Sequence, residues 1–330
     1  MKAVIHQGKS GLEGVRVADV EGREPGAGEV KVHLKTAGLN HRDLFVPNRR
    51  KPEDPRVVLG SDGAGVVEAV GEEVDGVKTG QEVVIIPSLG WEKNSPAPPE
   101  GFEILGHPDD GTFAETIIVP GENVEPKPAS LSWEEAGVLP LGALTAYRAL
   151  FTRGKVESGR TVFIPGVGSG VATFLLQMAK AAGARVIVTS RSEEKRNRAL
   201  ELGVDRAIDT GSDWESELQK ETIDLVIDSV GAATVNRSLG VLRPGGTMVI
   251  FGASAGDQVQ LDLRSFFYGQ YNLLGSTMGS SEEFREMLDL IEKHHIKPVV
   301  DQSFPLSEAK DAFGKLNEGK QFGKIALTIE

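Results

Sequence analysis

The chain has no cysteine among its 330 residues. Disulfides, zinc–thiolate sites, iron–sulfur clusters and cysteine nucleophiles are thereby excluded. No run approaches the roughly 20 apolar residues needed to span a bilayer, and the opening MKAVIHQGKSGLEG lacks the apolar core of a secretion signal. A soluble, cytoplasmic protein is the expectation. Positive charge is also in deficit, with a formal net charge of −12. A broad nucleic-acid or anionic-membrane surface needs a basic face, so neither partner is expected, although a local basic pocket is compatible with this balance.

What is present is enough for two folded domains: 39% hydrophobic and 25% charged residues over 330 positions. Residues 1–125 are rich in short β-like runs. In EVKVHLKTAGLN, Val30, Val32 and Leu34 share one strand face. Ser88 to Gly111 is poor in periodicity, contains SPAPPEG, and predicts a long surface loop of the kind that borders a site. From about residue 126 strands alternate with helical stretches: TVFI, RVIVTS, RAID, DLVIDSVG, GTMVIFGA and NLLGSTM. That rhythm predicts βαβ units and a parallel sheet. SEEFREMLDLIEKHHI is then an amphipathic helix with Phe284, Met287, Leu288 and Ile291 on one stripe, and GKIALTIE is a closing strand.

Within the alternating region, FIPGVGSGVATFLLQMAKAAGARVIVTS reads as strand, glycine-rich turn, helix and strand. The helix buries Val171, Leu175, Met178 and Ala182 and stops at Gly183. Gly166, Gly168, Ser169, Gly170 and Val171 form a turn whose small residues let the backbone approach a pyrophosphate, with the helix N-terminus supplying free N–H groups. The spacing is not G-x-G-x-x-G; it fits a variant one residue longer, with small residues at Gly166, Ser169 and Ala172. A tight turn without a ligand is the plainer alternative.

An NAD site usually ends its second strand in an acid that binds the ribose 2′-hydroxyl. Here the strand ends Thr189-Ser190-Arg191-Ser192, followed by Glu193, Glu194 and Lys195. Ser190, Arg191 and Lys195 suit a 2′-phosphate, so NADP(H) is the expected coenzyme. The alternative reading of Arg191 and Lys195 is a solvated helix start, and the two glutamates suit the first turn of a helix.

AGLNHRDL, LGSDGAGVVEAVG, DGTFAE, LPLGALTAYRAL, the glycine-rich turn, DSVG and LRPGGTMVIFG occur in that order. Together they resemble the medium-chain dehydrogenase/reductase superfamily, and within it the zinc-free quinone oxidoreductase branch, over essentially the whole chain. The resemblance implies an α/β protein: a β-rich GroES-like catalytic domain from residues 1–125 and 269–330, and an inserted Rossmann domain over residues 126–268. It implies a homodimer formed through an edge of the Rossmann sheet, for which Tyr271 to Met278 is the candidate edge.

In the zinc-dependent relatives a catalytic Cys stands where this chain has Asn40, a His–Glu pair where it has Ser61 and Asp62, and a further ligand near Leu141. The resemblance therefore places no catalytic zinc here, and no structural zinc in the cysteine-free Ser88–Gly111 stretch. The relatives' Ser or Thr proton relay falls on Arg42. The Tyr of some zinc-free relatives has no counterpart near Phe45. The proton donor stays open.

Without a metal to polarise an alcohol oxygen, the chemistry needing least help is hydride transfer from NADPH to a quinone or an α,β-unsaturated carbonyl. Asn40 and its neighbours His41 and Arg42 are the candidate donors to the acceptor oxygen; Asn40, at the position of the family's ligand Cys, is the favoured one, or else a loop-capping amide. Thr145 resembles the family's threonine near the nicotinamide, or bonds back within its helix. Gly231, Gly252, Ala253 and Ser254 end Rossmann strands, where ligands bind in such sheets. His41, Trp91 and Phe266 are candidate walls for a flat substrate, together with Phe102 and Leu105. Alcohol or aldehyde oxidoreduction, and nucleotide binding without turnover, remain the alternative functions.

Overall fold

The computed structural model describes all of residues 1–330. Two compact units emerge: Met1–Gly142 with Gly279–Glu330, and Ala143–Met278.

The first unit is built on the strand Glu29–Leu39. Its odd–even alternation drives Val30, Val32 and Leu34 into the core with no exposed surface, alongside Val67, Val83, Ile85, Val119 and Leu327. Antiparallel neighbours flank it: Asp62–Val70 on one side, Lys324–Thr328 and Thr116–Pro120 on the other. The closing strand therefore belongs to this sheet, as expected from its lack of a place in the nucleotide sheet. The helix Ser281–His294 buries Phe284, Met287, Leu288 and Ile291 and starts in a Ser280–Glu283 capping box.

The domain boundaries differ from the sequence expectation at both ends. Residues 126–142 lie in the first unit, because the helix Trp133–Gly137 packs directly on the central strand. A Cβ on Gly137 would fall 2.6 Å from Thr36 Cβ, so only glycine permits this approach. At the other end, Asn272–Gly275 pairs in parallel with the strand Leu242–Ile250, which puts residues 269–278 in the nucleotide unit.

The Ser88–Gly111 stretch is also more than a surface loop. Ser88–Leu89 pairs with Glu103–Ile104, while Trp91 and Leu105 are buried. The Trp91 indole meets Phe102 edge-on at 5.2 Å, and its backbone carbonyl accepts from Ser281 N. Proline-rich composition hid a segment anchored by one large aromatic side chain.

The second unit contains six parallel strands: β1 (Thr161–Ile164), β2 (Arg185–Ser190), β3 (Arg206–Asp209), β4 (Ile223–Asp228), β5 (Leu242–Ile250) and β6 (Asn272–Gly275). Their spatial order is β3-β2-β1-β4-β5-β6. This is the doubly wound Rossmann order, and the order reverses between β1 and β4, where such sheets bind dinucleotides. Helix α1 (Gly170–Ala181) buries Leu175 and Met178, while Val171 and Ala182 are only half-buried. No helix in the protein is long and apolar enough to cross a membrane.

Candidate coenzyme and acceptor sites

The glycine-rich turn leaves β1 at the switch point. Gly166 and Gly168 have φ of 79° and 125°, values that disfavour any side chain. Gly166 N donates to Thr189 Oγ1 at 3.1 Å and Val167 N to Thr189 O at 2.7 Å, which ties the turn to the end of β2. Ser169 caps α1 by accepting from Ala172 N at 3.2 Å. A Cβ at Gly168 would lie 2.8 Å from Lys195 Cδ. The missing side chain thus lets the Lys195 stem lie over the turn. Backbone N–H groups at a twelve-residue helix and a lysine beside them fit the pyrophosphate and phosphates of a dinucleotide.

At the end of β2, Ser190 is buried and its Oγ accepts from Ser192 N at 3.2 Å. Arg191 is exposed. Arg196, which sequence reasoning passed over, donates to Ser190 O at 2.7 Å and to Asp209 Oδ2 at 2.8 Å. Glu193 and Glu194 occupy the first turn of helix α2 (Glu193–Glu201), where the dipole favours acids.

Across the switch point, Asp228 organises the turn after β4. Its Oδ1 accepts from Val230 N and Gly231 N, and its Oδ2 from Thr234 Oγ1 at 2.6 Å. Burial pushes this carboxyl above its ordinary range against those three donors. The loop after β5 joins it: Ser254 N donates to Ser229 O and Ala232 N to Gly256 O. Gly231, Gly252, Ala253 and Ser254 therefore form one zipped rim beside the strand ends. A Cβ on Gly231 would fall 2.4 Å from Gly256 O, so that rim requires glycine. Thr145 is buried and Phe266 is half-buried, packing edge-on with Tyr271 at 6.2 Å.

In the first unit, Asn40 follows the end of the central strand, while Asp62 and Lys324 begin its two neighbours. Register places Gly38 opposite both Asp62 and Ala326, so all three polar residues arrive at one end of the sheet. There they form a buried network. Lys324 Nζ donates to Asn40 Oδ1 at 2.5 Å and to Asp62 Oδ2 at 2.9 Å. Asn40 Nδ2 donates to the same Asp62 oxygen at 2.8 Å. Asp62 Oδ1 accepts from Leu141 N at 2.6 Å, at the start of the helix Pro140–Tyr147. Asn40, Asp62 and Lys324 are 7%, 0% and 4% exposed.

Around this network, Asp43 Oδ2 accepts from Asn40 N at 2.7 Å, and burial pushes its carboxyl up to about 6. Arg42 is occupied by Ser61 Oγ and Leu105 O. His41 is exposed and stacks edge-on against Phe45 at 4.9 Å. Trp91 is 1% exposed. Sequence reasoning missed Lys324; its one signal is a cation opening an otherwise apolar strand, KIALT.

The two units answer to two family descriptions. Residues 26–129 match the model of the alcohol dehydrogenase GroES-like domain, and residues 170–293 that of the zinc-binding dehydrogenase. The chain belongs to the medium-chain dehydrogenase/reductase superfamily. It is 35% identical to a zinc-type alcohol dehydrogenase-like protein of Schizosaccharomyces pombe, covering 100% of this chain and 99% of that one. It is 32% identical to an acryloyl-coenzyme A reductase of Metallosphaera sedula over 99% and 100% of the two chains. A crystal structure of an NAD-dependent alcohol dehydrogenase superposes with a TM-score of 0.94 at 38% identity, covering both chains completely. The protein is thus an oxidoreductase of this superfamily with a nicotinamide-dinucleotide fold.

Zinc, which the family descriptions imply, does not fit the residues present. Of Asn40, Ser61, Asp62 and Leu141, only Asp62 is an anionic ligand, and it is engaged by an ammonium and two N–H groups. No three His, Cys, Asp or Glu side chains cluster anywhere in the chain.

Proposed function

We propose that the protein is an NADPH-dependent, zinc-independent reductase of electron-poor double bonds, either quinones or α,β-unsaturated carbonyls. The observation that supports this most is the Asn40–Asp62–Lys324 network, in which Asn40, at the position the resemblance gives to a ligand Cys, is hydrogen-bonded to a buried carboxylate and a buried ammonium. Such a group can stabilise negative charge developing on an acceptor oxygen. It lacks the Lewis acid that lowers the pKa of an alcohol. The name of the Metallosphaera sedula relative, an acryloyl-coenzyme A reductase, agrees with this reading.

Bound NADPH would supply a hydride to the electron-poor carbon. The chain would do the rest. Gly166 to Ala172 would hold the pyrophosphate with backbone N–H groups, and Arg191 and Lys195 the 2′-phosphate, with Ser190 beside them. The rim at Gly231 and Gly252 to Ser254 would hold the nicotinamide half of the coenzyme, with Thr145. Asn40 would donate to the acceptor oxygen. In enone reduction the hydride forms the new C–H bond at the β-carbon, the π pair moves toward oxygen, and a solvent proton completes the α-carbon. His41, Trp91 and Phe266 are proposed to border the acceptor.

One observation favours a second reading. The NAD-dependent alcohol dehydrogenase of near-identical fold makes alcohol or aldehyde oxidoreduction the competing activity. Steady-state NADPH and NADH consumption against a quinone and an enone panel, set beside NADP⁺ and NAD⁺ reduction with simple alcohols, separates the two. Faster alcohol oxidation would sink the proposal. Tight NADPH binding with no turnover on any acceptor would favour a nucleotide-binding module.

A further inference from the structure

We propose that Lys324 is the internal cation of the acceptor site, a positioning residue that fixes the Asn40 carboxamide and polarises its remaining N–H toward an acceptor oxygen. This rests on the functional reading above and assigns a role to a residue that the family resemblance does not reach.

The assignment starts from donor accounting. An ammonium has three N–H groups and a carboxamide nitrogen has two. Two of the Lys324 donors go to Asn40 Oδ1 and Asp62 Oδ2, and one Asn40 donor goes to Asp62 Oδ2. One N–H on each residue is left without a protein acceptor, although both side chains are more than nine-tenths buried. Buried donors are rarely left unmatched, so two at one place point to an oxygen acceptor that comes and goes.

Orientation follows from the same contacts. Reversing the Asn40 amide would set its NH₂ against the ammonium, donor to donor, and its oxygen against the Asp62 carboxylate. Lys324 and Asp62 together therefore allow one orientation only. The N–H···O bond from the ammonium also draws electron density from the amide, which makes the spare N–H a stronger donor. A buried ion pair is poor evidence of a stability role, since apolar replacement is often neutral. Asp62 cancels the lysine charge, so the site delivers directional donors rather than net positive charge. That suits a neutral carbonyl that gains charge only during reaction.

The test compares wild type with the double variant Lys324→Met/Asp62→Asn, which removes both charges and keeps an acceptor for Leu141 N. It also uses Lys324→Arg. Circular dichroism and melting establish folding. The expected result is a fall in kcat of roughly 10- to 100-fold, no larger than for loss of the Asn40 amide itself, with KM changed less than about 3-fold. NADPH affinity should stay within about 2-fold of wild type, and Lys324→Arg should recover kcat to within about 10-fold. A folded double variant that retains kcat within about 3-fold overturns the assignment. Amide spectra of protein labelled with ¹⁵N-asparagine decide independently of turnover: the Asn40 NH₂ pair should be exchange-protected in wild type and lose that protection in the double variant. Unchanged Asn40 resonances would overturn the role of Lys324. If wild type reduces no quinone or enone, the functional reading falls and these spectra alone judge Lys324.

Discussion

Arg196 Nη1 lies 2.8 Å from Asp209 Oδ2, so the acid that ends β3 is already paired with a cation from α2 that also donates to Ser190 O at the end of β2. Asp209 is the one carboxylate directly across the strand register from Ser190. With its charge met there, the exposed Arg191 and the Lys195 stem over Gly168 are the cations beside the ribose position proposed above. Lys195→Glu should weaken NADPH binding by roughly 10- to 100-fold and NADH binding far less, as for loss of a charge-assisted phosphate contact. Fluorescence titration of both nucleotides measures this. Equal or tighter NADH binding by wild type would remove the NADPH preference.

Asn40→Ala removes the proposed donor and leaves Lys324 bound to Asp62. The rate on the best quinone or enone should fall about 10- to 100-fold, somewhat less than for loss of a fully preorganised oxyanion donor, with NADPH binding nearly unchanged. Kinetics indistinguishable from wild type would reduce Asn40 to a structural amide.

Purified protein, prepared without added metal or chelator, should contain well under one equivalent of zinc by elemental analysis, and chelators should leave activity intact. The donor set dictates this: one carboxylate, already bound by an ammonium, cannot hold a tetrahedral ion. One tightly held zinc per chain whose removal abolishes turnover would contradict it.

Asp43 gives the stability curve a definite slope. Its folded-state value of about 6 lies above the ordinary 3.8, because burial disfavours the charged form. The folded chain therefore holds this proton more tightly than the unfolded chain. Its contribution to stability is fully present below about pH 4 and is lost as pH rises through about 6. Asp43→Asn keeps an oxygen for Asn40 N and removes the titration. From about pH 5 to about pH 7.5 the difference in unfolding free energy should move in the variant's favour, by about 1.4 kcal/mol. A difference that does not change with pH would exclude an elevated Asp43.

The outer side of β6 has no strand partner, and Leu273 on it is 37% exposed. The neighbouring helix Leu263–Tyr268 exposes Leu263, Phe267 and Tyr268. An apolar edge of this kind pairs readily, so a homodimer at micromolar concentration is expected by light scattering, with Leu273→Lys shifting it toward monomer. A monomeric wild type would refute it.

Much of this was legible in the sequence. Alternation alone placed Val30, Val32 and Leu34 in the first core, and the glycine-rich turn between two strands located β1 and β2. The domain boundary was not legible, because the helix Trp133–Gly137 continues the strand–helix rhythm of the region that follows. What assigns it to the first unit is a glycine touching Thr36, about a hundred residues upstream. Lys324 was invisible for the same reason. Its partners are 262 and 284 positions away, and only the pairing of three strand ends brings them together.

That separation also governs the order of assembly. Asn40 and Asp62 are synthesised early, yet the cation that neutralises Asp62 arrives only after the whole nucleotide unit has been made. Until then the central strand lacks its neighbour Lys324–Thr328, and the carboxylate lacks its counter-charge. The inserted unit, with contacts drawn from a continuous stretch of chain, is free to fold first. Closure of the earlier unit around its buried network is expected to come last, because it joins residues 262 and 284 positions apart.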